Sequence, residues 1–309
     1  MRRKNGTPLP AVLVAVIVFA LHFTAPAAAA AERIDLYTIY GWGTYADSQY
    51  LQAFNGIMSA ALNNIGVHGD FKHFDDEKEF FRTIKAPGEN IIQVGNREQL
   101  SAAMTAYGYR PFLSYEFLNL KKNRNCLYVR KDSRVKAVGD LKGRSLTMSA
   151  NMMEYASLRR MLCEKPEKYF KGIDFVGDGD APAYSFYMDN PDAMWITVQQ
   201  TRFLQISNPE IVKNVRRVVC SEEHAHMALL ASPGVSKDVT DRIFTAVDKI
   251  MKTDESVKYF PLAKFMKVRM VRVASEDYAA TLELYRKAVS SGWDADYRKL
   301  TANRKNEKK

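Results

Sequence analysis

From residue 33 onward, apolar positions fall into two alternating rhythms: short runs with period two, and longer runs spaced by three and four. Residues 33–40 (RIDLYTIY) are rich in β-branched and aromatic side chains and predict a strand ending at Gly41-Trp42-Gly43. Residues 47–65 place Leu51, Phe54, Ile57, Met58, Ala61 and Leu62 on one helical face. A short strand over 71–74 follows, and Asp76 is placed to cap a helix running to Ile84. Residues 90–94 read as a buried strand leading through Gly95-Asn96-Arg97 into a helix over 98–107, with strands at 112–118 and 127–129. The rhythm restarts after Asp140-Leu141-Lys142-Gly143. Strands are expected at 145–148, 173–176, 193–198, 216–219 and 227–231, and helices at 153–163, 182–188, 237–252 and 276–290. Strands alternating with helices imply mostly parallel sheets covered by helices. With 309 residues the chain exceeds one simple core, so two α/β sheets, dividing near residues 130 and 225, are the economical arrangement.

The first thirty residues stand apart. Arg2, Arg3 and Lys4 precede an apolar run over 11–23 (AVLVAVIVFALHF), then Pro26 and a stretch of alanines. A basic start, an apolar middle and small residues at an A-x-A site are the parts of a cleavable signal peptide. A membrane anchor needs about 20 apolar residues, and His22, Thr24 and Pro26 interrupt this stretch. Cleavage is expected near Ala30 or Ala31, giving an exported, soluble chain that is not membrane-embedded. The net charge of +10 then loses its apparent meaning. The leader supplies three of those charges, and residues 297–309, with six basic residues and one Glu, supply five. The remaining body carries only about +2, so nucleic acid is not an expected partner. Residues 297–309 read as a solvated, frayed tail.

Export makes the redox compartment oxidising. Cys126, Cys163 and Cys220 lack C-x-x-C spacing, so neither zinc nor thioredoxin-type chemistry is indicated. Three buried, reduced thiols are expected; a Cys126–Cys220 bridge requires that the fold bring those two segments together.

Candidate chemistry is sparse. His224-Ala225-His226 sets two imidazoles on one face of a strand, and His73 with Asp75 does likewise, but no further metal ligands follow at a recognisable spacing. No G-x-S-x-G is present, and Gly177-Asp178-Gly179 lacks the third glycine of a dinucleotide site. Asp178 and Asp180 beside glycine fit a turn and helix cap. Nothing here is an enzyme signature, and no metal or other cofactor is expected. Aromatic residues near strand ends are more informative. Tyr40, Trp42 and Tyr45 flank the carboxyl end of the first strand, where open α/β sheets place their ligands. Trp195, Thr197, Gln199 and Gln200 lie on or just after a strand of the second half.

Residues 90–115 (NIIQVGNREQLSAAMTAYGYRPFLSY), 126–133 (CLYVRKDS) and 138–148 (VGDLKGRSLTM) together resemble the phosphonate/phosphate-type periplasmic solute-binding proteins of ABC importers. The resemblance continues more weakly through residues 192–198 (DAMWITV) and 227–235 and covers roughly 33–255. It implies a bilobed type II periplasmic-binding-protein fold: two mostly parallel sheets flanked by helices and joined by a two-segment hinge. Lobe one is expected over 31–130 plus 226–296 and lobe two over 131–225, with hinge segments at 128–131 and 222–227. This chain departs from the family at the ligand loops. The family's Ser-Thr-Ser-Gly loop is replaced by Met153-Glu154-Tyr155-Ala156, its Gly-Pro-x-x-Tyr by Gly95-Asn96-Arg97-Glu98-Gln99, and the His of its Gly-Ser-His segment by an Asp within residues 177–180.

The resemblance implies a non-catalytic protein that captures a small-molecule ligand between its lobes and presents it to a membrane partner, an ABC permease or alternatively a sensor protein. A monomer is expected. On this reading Tyr40, Trp42 and Tyr45 wall the cleft from lobe one, with Asn96 and Arg97 as polar contacts. Ser149, Asn151 and Tyr155 come from the strand-to-helix turn of lobe two, with Asp180, Gln199 and Gln200 opposite. The alternative of another class is an exported enzyme on the same scaffold, with Glu154 or Asp180 as general base and His224 assisting. Replacement of the family's hydroxyl loop argues against simple phosphonates and for a larger, partly apolar or aromatic ligand.

Overall fold

The computed structural model describes residues 32–39, 45–177, 179–259 and 267–307. The chain opens with β1 (Arg33–Ile39), α1 (Tyr45–Asn64), β2 (His68–Phe74), α2 (Glu77–Ile84), β3 (Asn90–Val94), α3 (Arg97–Tyr107) and β4 (Arg110–Glu116). It crosses into β5 (Asn125–Arg130), β6 (Ser145–Ser149), α4 (Met152–Leu162), α5 (Pro166–Tyr169), β7 (Gly172–Val176), α6 (Ala181–Met188), β8 (Ala193–Thr197), α7 (Val198–Ser207), α8 (Pro209–Val212) and β9 (Val215–Cys220). It returns through β10 (Ala228–Ala231), α9 (Lys237–Met251), α10 (Glu255–Tyr259), β11 (Arg269–Arg272), α11 (Ala279–Ser290) and α12 (Trp293–Glu307).

Two sheets result, ordered β11-β4-β10-β3-β1-β2 and β7-β6-β8-β5-β9. Parallel pairing holds β1 to β2 and β3, and β6 to β7 and β8. Around the two crossings the pairing is antiparallel: β10 lies between β3 and β4, and β5 between β8 and β9. Successive residues of a strand face opposite sides, and each sheet uses both. On β3, Ile91 packs under α1 and α9 with Met58 and Ile243, while Ile92 and Val94 pack with Phe80 of α2 and Leu100 of α3. On β8, Trp195 packs with Tyr155 and Leu158 of α4, while Met194 and Ile196 pack with Phe186 of α6 and Leu204 of α7. This double-sided burial is why these strands read as nearly continuous apolar runs.

The Asp140-Leu141-Lys142-Gly143 turn earns its residues one by one. Asp140 Oδ2 accepts the backbone N–H of Lys136 and Ala137 at 2.7 and 3.0 Å, Leu141 is fully buried, and Gly143 adopts a left-handed φ of 74°. A side chain at that φ would be strained. The turn feeds β6 into the sheet and so sets where α4 begins.

Three expectations need correction. First, β5 belongs to the second sheet, so the outward crossing is residues 117–124 rather than 128–131; the return is 221–227. The crossings touch through backbone bonds between Asn123 and His224. Second, Cys126 and Cys220 are not free. They face each other in the β5–β9 register with Cα atoms 4.0 Å apart and form a disulfide, while Cys163 is free and exposed rather than buried. Third, the basic end is not a frayed tail over its described length. Trp293, Tyr297 and Leu300 of α12 pack on the second lobe's core, and Asp296 pairs with Arg159 at 2.7 Å and Lys165 at 2.8 Å. Its basic residues hid an apolar stripe at i, i+4 and i+7. Deleting residues 293–309 is expected to cost about 3 kcal/mol, since three partly buried side chains each lose apolar cover. Urea denaturation of the truncated chain would measure it, and an unchanged midpoint would refute the packing.

Candidate functional site

Helices α3 and α4 begin at the carboxyl ends of β3 and β6, one in each lobe, and their first turns meet across the interlobe seam. Each start is capped by asparagine, as the sequence pattern allows. Asn96 Oδ1 accepts the N–H of Gln99 at 2.9 Å; Asn151 Oδ1 accepts those of Met153 at 2.9 Å and Glu154 at 3.2 Å. Arg97, only 8% exposed, reaches out of lobe one. Its Nη2 donates to Asn125 Oδ1 on β5 at 3.0 Å and to Glu154 Oε1 on α4 at 3.1 Å. Asn125 Nδ2 donates to the other Glu154 oxygen. Beside this triad the Glu98 carboxyl accepts the backbone N–H of Met152, so lobe one supplies an acceptor to the N-terminus of α4. Helix α11 covers the seam: its Leu284 and Ala288 pack with Met152, Met153 and Ala156.

Burial, then repulsion from Glu77, pushes the Glu98 carboxyl up to about 7 from an ordinary 4.5. The folded chain therefore holds this proton more tightly than the unfolded chain does. Its contribution to stability is complete below about 4.5 and is lost as pH rises through about 7. Glu98→Gln keeps an acceptor for Met152 without the charge. It is expected to melt higher than wild type above neutral pH and to shrink the fall in melting temperature across that window. An identical pH profile would refute this.

The crossings form a second polar group. Asn123 Oδ1 accepts the N–H of Gln199 at 3.2 Å, and His226 lies 3.0 Å from Gln199 Oε1 and 2.8 Å from the Leu120 carbonyl. His224 is buried with Nδ1 3.0 Å from the Ala225 carbonyl. Burial, and then the Arg97 charge, hold its imidazole well below the usual histidine range. Between the return crossing, α4, α11 and Arg97 lies a cavity of about 170 Å³.

Of the residues the sequence singled out, Asn96, Arg97 and Asn151 come together at the seam. Ser149 is buried at the end of β6. Gln199 binds the crossings. Gln200 is spent on a capping box with Thr197 and a bond to the Gly179 carbonyl. Asp180 stands before α6, its carboxyl pushed up to about 6 by burial. Tyr155 is a correction. It is fully buried in the second lobe's core with its hydroxyl on Glu167 at 2.9 Å, so it offers no face to a ligand. It lies one position past Glu154, and on a helix that step turns it from the seam to the sheet. Tyr40 and Trp42 lie outside the described residues, as does the side chain of Tyr45, which opens α1. Glu98, Asn125 and His224 were not picked out as ligand contacts. Only Glu98, next to Arg97 in a first helical turn, carried a local signal.

Among the described residues no three or more His, Cys, Asp or Glu side chains are grouped to hold a metal ion, and no helix is long and apolar enough to cross a membrane. Two mixed α/β lobes, joined by two crossings and meeting at helix N-termini, define a bilobed binding protein of the type II class. The chain belongs to the ABC-transporter phosphonate periplasmic substrate-binding protein family, whose model matches residues 44–278. Its structure is similar to a binding protein component of an ABC phosphonate transporter from Pseudomonas aeruginosa, at 12% identity and TM-score 0.60 over 89% of this chain and 99% of that one. PhnD1 from Prochlorococcus marinus, in complex with methylphosphonate, is 14% identical with TM-score 0.63 over 82% and 97%. The periplasmic aliphatic sulphonate binding protein of Escherichia coli is 12% identical with TM-score 0.55 over 84% and 87%. No curated protein matches by sequence. The family is one of binding proteins rather than enzymes, and its members hand a small-molecule ligand to an ABC permease.

Proposed function

We propose that this chain is exported to the periplasm by its leader and there captures an uncharged, partly apolar solute between its lobes for an ABC permease. One observation carries the ligand class: Arg97 is already neutralised by Glu154, with Asn125 completing the triad. A phosphonate dianion seated there would face the Glu154 carboxylate, and like-charge juxtaposition costs several kcal/mol. The N-terminus of α4 is likewise occupied by Asn151 and Glu98. With both oxygens of Glu154 engaged, it is also poorly placed to act as a general base.

A thermal-shift panel of solutes tests the reading. At a hundredfold excess over Kd a bound solute adds about 2.7 kcal/mol. Uncharged solutes with an apolar portion are expected to raise the melting temperature, and phosphate and alkylphosphonates to leave it unchanged. Stabilisation confined to the anions would overturn the assignment.

A further inference from the structure

We propose that the cavity lined by Arg97 and His224 is a subsite for the carboxamide end of an uncharged, ring-bearing solute. This rests on the reading of the chain as a solute-binding protein and narrows its ligand. The cavity, about 170 Å³, is walled by both lobes: Arg97 from lobe one, α4 and the start of the return crossing from lobe two, and α11 across the top. An occupant would therefore touch both lobes at once.

Its walls specify charge and hydrogen bonding. The cationic side chains there are already matched: Arg97 by Glu154 at 3.1 Å, and Arg160 by Glu283 at 3.2 Å and Glu222 at 3.4 Å. Glu223 pairs with Arg124. Among the described residues of the lining a charged guest would find no free counter-ion, and burying an unpaired charge is costly.

His224 then sets the polarity of the guest. It is 9% exposed, and its Nδ1 faces the Ala225 carbonyl, which can only accept, so Nδ1 carries the proton. Its Nε2 is left as a buried lone pair with no partner among the described residues. A buried acceptor without a donor is a cost that a guest N–H would remove. Arg97 stands in the same wall; its Nη2 is engaged on Asn125 and Glu154, and among the described residues no bond holds Nη1 or Nε, which leaves them as donors for a guest carbonyl. An N–H beside a C=O is the edge of a carboxamide. Met161 and Leu284 supply the apolar contact for an attached ring.

Benzamide is the probe, with benzoate as its charged isostere, titrated calorimetrically into the exported chain. Benzamide is expected to bind one to one, with benzoate at least roughly tenfold weaker, because benzoate replaces the donor His224 needs with an acceptor. His224→Phe is expected to lower benzamide affinity by roughly tenfold. Because that residue is buried, Ala280→Trp provides a second variant: Ala280 is exposed at the cavity mouth, so the indole should plug it and abolish binding with an unchanged melting temperature. Equal binding of benzamide and benzoate, retention by Ala280→Trp, or a soaked crystal with only water in the cavity would each overturn the subsite. If benzamide fails while another uncharged solute stabilises the chain, the subsite falls and the proposed function stands. If no uncharged solute binds, both fall.

Discussion

Replacing Cys126 and Cys220 together by serine is expected to destabilise the chain by about 4 kcal/mol. The bridge spans 94 residues, and in the chain-entropy account a closed loop of about 100 residues is worth about 4.7 kcal/mol, less whatever order the unfolded state retains. Urea unfolding of the double variant, and of wild type under dithiothreitol, should show the same displaced midpoint. Cys163→Ser should not move it, because that thiol is exposed and unpaired. Non-reducing mass spectrometry of the purified chain should find the Cys126–Cys220 peptide. A dithiothreitol-insensitive midpoint with three alkylatable thiols would show that the bridge does not form. The location gives the bridge consequence: it ties β5 to β9, the two strands through which the chain enters and leaves the second lobe.

The second large effect is at the seam. Arg97→Leu leaves the half-buried Glu154 carboxylate without its cation, and since breaking a fully buried pair from one side costs about 3–5 kcal/mol, a loss of about 3 kcal/mol is expected here. Glu154→Leu should cost a similar amount for the mirror reason. The double substitution Arg97→Leu/Glu154→Leu removes both charges and should recover most of the loss, since an apolar pair of similar volume is often neutral or better. Denaturant unfolding of all four chains closes the cycle. Additive losses would mean that the two side chains are not coupled across the lobes.

The elements legible in the sequence are those whose burial is set locally. Alternation in 33–40 and the apolar face of 47–65 located β1 and α1 because each packs on its own sheet. The Asp140–Gly143 turn was legible because an acceptor, a core leucine and a left-handed glycine act within four residues. The disulfide was not: pairing Cys126 with Cys220 depends on β5 and β9 being neighbours, a long-range fact, and the thiols by themselves read as small buried hydrophobes. Assigning β5 to the first lobe was the same error, because local pattern does not say which sheet a buried strand joins. Arg97 stands out in the sequence as a candidate from its place after a buried strand. Its partners Asn125 and Glu154 lie 28 and 57 residues away and meet it only when the lobes do. Tyr155 failed for an angular reason, since counting along a loop does not distinguish the seam-facing side of a helix from its core-facing side.

Calorimetric titration of methylphosphonate into the intact chain at neutral pH tests the central claim most directly. With Glu154 seated on Arg97 and Glu98 on the N-terminus of α4, no binding heat is predicted. A micromolar Kd would contradict it, showing that Glu154 and Glu98 yield the seam to an anion.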